Sequence, residues 1–169
     1  ITITGSTVAS KEYDGTTAAT VSGGSLSGVI NGDTVTFTQA GTFASKDVGT
    51  GVSVNITGSL NGVNASNYSL ATSSSTGNIT KKVLTVTANN DADFAGLTDI
   101  SASYSGVSYS GFVAGESATN LSAANFTAPT IARSNSSVVA SGTYNGVLVP
   151  SGAAATNYSF TYVNGNYTI

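Results

Sequence analysis

Apolar and polar residues alternate one by one at widely separated points along this chain. Ile1-Thr2-Ile3-Thr4 alternates, as do Val52-Ser53-Val54-Asn55-Ile56 and Leu84-Thr85-Val86-Thr87, and the stretches 144–149 and 158–162 also read as strands. A period of two puts neighbouring side chains on opposite faces of a strand, one toward a core and one toward water. Between these runs stand Asp14-Gly15, Asn31-Gly32-Asp33, Asn61-Gly62, Asn145-Gly146 and Asn164-Gly165. Such dipeptides accept positive φ and close tight turns. No segment carries an apolar stripe at the helical period over three turns; at most a single helical turn is expected near Gly32-Asp33-Thr34 or Gly115-Glu116-Ser117. The pattern predicts an all-β, mainly antiparallel chain, with an Ig-like sandwich and a β-grasp-like variant both open.

The runs also repeat. Asn67-Tyr68-Ser69-Leu70 returns as Asn157-Tyr158-Ser159-Phe160, and Gly77-Asn78-Ile79-Thr80 as Gly165-Asn166-Tyr167-Thr168. Gly28 to Asp33 (GVINGD) returns as Gly111 to Glu116 (GFVAGE), which places Gly32 with Gly115 and Asp33 with Glu116. Gly49-Thr50 pairs with Gly142-Thr143, the opening Ile1 run with the Leu84 run, and Tyr13-Asp14-Gly15 with Phe94-Ala95-Gly96. The order is kept, and the offset stays between 81 residues (Tyr13 to Phe94) and 93 (Gly49 to Gly142). Two tandem copies of one small β domain explain this, with residues 1–81 as the first and 82–169 as the second. The link at Lys81-Lys82-Val83 is short, so the copies are expected end to end, as a rod.

Composition narrows the function. Charged residues are 8% of the chain, net charge is −3, and no basic cluster exceeds Lys81-Lys82. Nucleic acid is therefore not an expected partner. With neither Cys nor His, the chain has no disulfide, no thiolate metal site and no imidazole base. No long apolar run predicts a membrane span, and without an opening Met or a signal peptide the chain reads as a segment of something larger, here a monomeric fragment. A hydrolase would need paired carboxylates or a Ser-Lys arrangement, and no spacing marks either. No enzyme and no resident cofactor are expected.

Asn89, Asp91 and Asp93 gather oxygens of the kind that hold Ca²⁺, although the EF-hand Gly and terminal Glu are missing; a polar turn leading into Phe94 is the plainer reading. Lys11 or Lys46 could in principle join a Lys–Asn isopeptide bond, but no spacing selects them. Tyr104, Tyr109, Phe112, Phe126 and Tyr144 read as core rather than as a carbohydrate platform, and Tyr68 and Tyr158 as strand-opening residues whose rings pack inward after Asn67 and Asn157 hold the turn.

Lys11-Glu12-Tyr13-Asp14-Gly15, the Gly28–Asp33 run, Val48-Gly49-Thr50-Gly51 and Ala65-Ser66-Asn67-Tyr68 resemble the YDG repeat of large bacterial surface proteins. The Gly111–Glu116 run, Gly142-Thr143-Tyr144, Asn157-Tyr158 and Gly165 to Ile169 resemble the related MBG-type repeat, although Ala92-Asp93-Phe94-Ala95-Gly96 lacks the Lys-x-Tyr. The resemblance implies stalk or spacer modules in large extracellular exoproteins, including filamentous-haemagglutinin-like adhesins, with neighbouring repeats as partners and glycan or matrix as a further one. It implies no catalytic residue. Within it, Tyr13 is expected to plug the core or its edge, Asp14-Gly15 to turn the chain, and Lys11-Glu12 to form a solvated flank.

Overall fold

The computed structural model describes residues 1–96, 104–137 and 139–169. The chain folds as two compact units, Ile1–Thr80 and Lys81–Ile169, both built almost wholly of strands.

In the first unit, β1 (Thr2–Val8) pairs antiparallel with β4 (Val21–Ser27). A second sheet runs β2-β7-β6-β5-β3, from β2 (Lys11–Glu12), β3 (Ala18–Ala19), β5 (Thr36–Phe43), β6 (Gly49–Asn61) and β7 (Ser73–Thr80). β5, β6 and β7 form an antiparallel meander, whereas β2 lies parallel to β7, with Lys11 opposite Ile79 and Glu12 opposite Thr80. Ile3, Tyr13, Phe43, Val54, Ile56 and Ile79 are buried. Thr and Ser of the same strands face water, as period-two alternation requires.

The second unit repeats this plan. β8 (Lys82–Ala88) lies between β10 (Val107–Ser110), antiparallel, and β15 (Tyr158–Val163), parallel. A second sheet runs β12-β13-β16-β9, from β9 (Asp91–Ala92), β12 (Thr130–Arg133), β13 (Thr143–Ser151) and β16 (Gly165–Thr168). β11 (Phe126–Thr127) pairs with β14 (Ala154–Ala155). Leu84, Val86, Ala88, Leu148 and Tyr167 fill the space within the unit. Against them stands a ring cluster: Phe112 meets Tyr158 edge-on at 5.3 Å, and Phe126 contacts Tyr109 at 5.8 Å and Phe160 at 6.3 Å. Phe126 is only 7% exposed at the centre of this cluster, and Tyr109, Phe112 and Phe160 around it are half-buried. Tyr104 packs edge-on against Tyr167, and the Tyr144 hydroxyl donates to Ala140 O.

Three local expectations are corrected. The segments at Gly32 and Gly115 are β-turns, closed by Asp33 N–H to Ile30 O and Glu116 N–H to Val113 O, because φ is +97° at Gly32 and +85° at Gly115, outside the right-handed helical region. The one 3₁₀ helix among the described residues is Ala65–Asn67 instead. Tyr68 follows that turn in extended backbone and opens no strand, whereas Tyr158 begins β15. Gly49-Thr50 is not in register with Gly142-Thr143: Gly49 faces Ile79 and Tyr144 faces Tyr167, so Gly49 matches Tyr144 on the ladder.

Candidate functional site

The residues repeated between the copies converge on one arrangement in each unit. In the first, Ile30-Asn31-Gly32-Asp33 makes a turn whose glycine needs positive φ. The Tyr68 hydroxyl sits in its mouth. It accepts the Ile30 N–H at 3.0 Å and donates to Asp33 Oδ2 at 2.6 Å. In the second unit the turn is Val113-Ala114-Gly115-Glu116. Tyr158 accepts the Val113 N–H at 3.0 Å and donates to Glu116 Oε2 at 2.6 Å. One phenol thus satisfies a loop amide and a carboxylate together, fastening the loop after the second strand of each sheet pair to the chain approaching the last strands.

The two latches differ in burial. Tyr158 is 2% exposed and Tyr68 is half-buried. Burial, then the Glu116 bond, pushes the Tyr158 phenol up to about 12. Tyr68 is raised mainly by its bond to Asp33. Both shifts favour the neutral, donating hydroxyl.

Asn67 is placed differently from expectation. In the first unit the amide that holds the loop is Asn64, whose Oδ1 accepts the Thr34 N–H at 2.9 Å, while Asn67 N–H donates to Asn64 O inside the 3₁₀ turn. Asn157 O accepts the Lys82 N–H at 3.0 Å, which starts the parallel pairing of β15 with β8.

Lys11 is not a solvated flank. Its side chain is 18% exposed, lies over the Phe43 ring, and donates to Asp14 Oδ1 at 2.8 Å and Thr16 O at 2.7 Å. Asp14 Oδ1 also accepts the Thr16 N–H and hydroxyl, each at 2.9 Å. The Lys11 bond, helped by those from Thr16, lowers the Asp14 carboxyl to about 2. Gly15, at φ +77°, completes the turn, and Tyr13 beneath it is 1% exposed. Lys11, Asp14 and Thr16 therefore clamp the turn that follows β2.

The second copy does not replace Tyr13 with Phe94. Tyr13 N–H donates to Thr80 O and Asp93 N–H donates to Thr168 O, so Asp93 holds the Tyr13 position on the ladder, and Phe94 is 83% exposed. Matching the aromatic and the glycine slipped the comparison by one residue.

Asn89, Asp91 and Asp93 are occupied with protein groups. Asn89 bonds Ser105 O and the Ser108 hydroxyl. Asp91 accepts the Ala92 and Ser105 N–H groups, and Asp93 accepts that of Phe94. Among the described residues, no three acidic side chains group as a metal cage would need.

A second device escaped the sequence reading. Asn78 Oδ1 accepts the Gly51 N–H and Asn166 Oδ1 accepts the Gly146 N–H, both at 2.9 Å. Each donor lies where β6 or β13 bulges out of register, so the Gly-Asn pair supplies an acceptor that the ladder no longer offers. The repetition of Gly-Asn was the available signal.

These features define a tandem pair of small β repeats, each closed by a tyrosine–carboxylate latch. Residues 1–76 match the YDG domain and residues 84–168 match the MBG domain of YGX type, in tandem; through the second match, which spans half of its length, the chain belongs to the MBG family. No curated protein and no solved structure matches it. No helix among the described residues is long and apolar enough to cross a membrane.

Proposed function

We propose that this segment is a non-catalytic spacer of a large secreted or surface-attached bacterial exoprotein of the adhesin type. It holds a binding region away from the cell, in settings of attachment and biofilm growth, with neighbouring repeats as its partners and no cofactor. One observation carries the reading. In each unit a short early strand lies parallel to the last strand, Glu12 beside Thr80 and Ala92 beside Thr168. Tension that reaches two such strands, once β1 or β8 ahead of the early strand is drawn out, pulls them in opposite directions along their length. Their hydrogen bonds then resist as a group in shear instead of opening one at a time. The Lys11–Asp14–Thr16 clamp and the buried Tyr13 secure that early strand in the first unit.

Single-molecule stretching between the chain's ends tests this. Each unit is expected to give its own rupture event, and D14N to lower the force of one of them. Extension without resolved rupture events overturns the reading.

A second reading, a module that binds glycan, matrix or another copy of itself, draws on an open groove of about 500 Å³ in the first unit, lined by Leu26, Val29, Val35 and Phe37. Reproducible specific binding of the fragment on a glycan or matrix array would favour it over a pure spacer.

A further inference from the structure

The chain has four Asn-Gly steps, at Asn31, Asn61, Asn145 and Asn164. In such a step the glycine nitrogen can attack the asparagine side chain, provided the backbone is free to bring the two together. Three of the steps are held. Gly146 N–H is bound by Asn166 Oδ1. The Asn164 amide donates to Gly146 O, and Gly165 is buried opposite Leu148. Asn61 sits on the β5–β6 ladder opposite Thr36, with Gly62 packed against Thr34. Asn31, exposed like the other three asparagines, differs in its surroundings: it stands at the second position of the latch turn, outside any strand, and a Cβ built on Gly32 would meet nothing within 4 Å. Asp14-Gly15, the related aspartyl step, has its Oδ1 bound by Lys11 and Thr16.

We infer that Asn31 is a self-modification site whose conversion loosens the first unit's latch. The Gly32 nitrogen bonds to Asn31 Cγ, the Cγ–Nδ2 bond breaks, and ammonia leaves with the amide proton. Water then opens the resulting succinimide at either carbonyl, leaving aspartate or isoaspartate at position 31. Isoaspartate adds a methylene to the main chain between Ile30 and Gly32. That lengthens a turn whose closure, Asp33 N–H to Ile30 O, sets both Tyr68 partners at 3.0 and 2.6 Å. The second unit carries Ala114 at this turn position and is immune there.

The test incubates the intact chain at mildly alkaline pH, digests it with trypsin, and follows the peptide spanning 12–46, in which Asn31 is the only asparagine. Isoaspartyl methyltransferase labelling identifies the rearranged product. The 12–46 peptide is expected to convert before those carrying the other Asn-Gly steps, and the aged protein to melt earlier than fresh protein. N31A should abolish both effects, and N31D, which adds charge without lengthening the chain, should keep the fresh melting point. Earlier conversion at another step, conversion of 12–46 only in denaturant, or isoaspartate accumulating without a change in melting would each overturn the inference.

Discussion

The Tyr158 hydroxyl donates to Glu116 at 2.6 Å, and in the other repeat the Tyr68 hydroxyl donates to Asp33 at the same distance. Aspartate and glutamate differ by a methylene, yet the bond and the second contact, to a loop N–H at 3.0 Å, are kept. The geometry is held constant while the acid's length varies, which ties the Asn-Tyr and Gly-acid elements of the repeat to one structural task. Removing the hydroxyl leaves a carboxylate and a backbone amide short of a partner. Y158F is expected to cost about 1–3 kcal/mol, because its latch is buried, and Y68F less, because water can reach the groups left behind. Urea unfolding of each variant measures the difference; equal losses would show that burial does not set the latch's contribution.

Alkaline titration separates the two phenols. The fold raises Tyr158 from 10.0 to about 12, so its contribution to stability is complete below about pH 10 and is lost as pH rises through about 12. Tyr68 shifts in the same direction, chiefly through Asp33. Phenolate absorbance of the folded chain should show a late-titrating tyrosine that disappears in Y158F. If the late step survives that substitution, it belongs to another ring.

Asp14 moves the other way. Its carboxyl lies at about 2 against an ordinary 3.8, so the Lys11–Asp14–Thr16 clamp stabilises fully above about pH 4 and is lost as pH falls toward 2. The Asp14 side chain is 52% exposed, which limits the contribution. D14N is expected to cost about 0.5–1 kcal/mol at neutral pH and progressively less in acid. Thermal melts of both proteins from neutral pH to acid should converge; a constant gap would place the effect in the turn's shape rather than in the carboxylate's charge.

Much of this architecture is legible in the sequence, for a physical reason. Alternation such as Leu84-Thr85-Val86-Thr87 reports which side chains face the core, and β8 buries Leu84, Val86 and Ala88 accordingly. The ordered return of Gly-acid and Asn-Tyr likewise marks the two copies. What escapes it is non-local. The parallel pairing of β2 with β7, or of β15 with β8, leaves no trace in the spacing of either strand, since partners in a ladder meet only after folding. The same gap explains the Tyr13–Phe94 mismatch: ring and glycine looked alike, whereas the ladder aligns Tyr13 with Asp93. That Tyr68 reaches Asp33 was hidden too, because both residues read as separate turn and strand signals.

The glycine of each Gly-Asn pair offers the sharpest packing test. Gly77 and Gly165 both have ordinary negative φ, so backbone conformation does not demand glycine at either position. Space does. A Cβ on Gly77 would lie 2.6 Å from Val8 Cγ1 and 3.1 Å from the Phe43 ring, all side-chain atoms that can shift. A Cβ on Gly165 would lie 2.5 Å from Ala88 O and 2.9 Å from Asn89 O, backbone atoms fixed by the strand that leads into β9. Overpacking a well-filled site costs about 1–3 kcal/mol, and more where the neighbour cannot move. G165A should therefore destabilise its unit more than G77A does, beyond about 3 kcal/mol against about 1–3 kcal/mol. Calorimetric melts of the two variants decide it, and a smaller loss for G165A would mean that the β8–β9 backbone gives way more readily than the Val8 and Phe43 side chains.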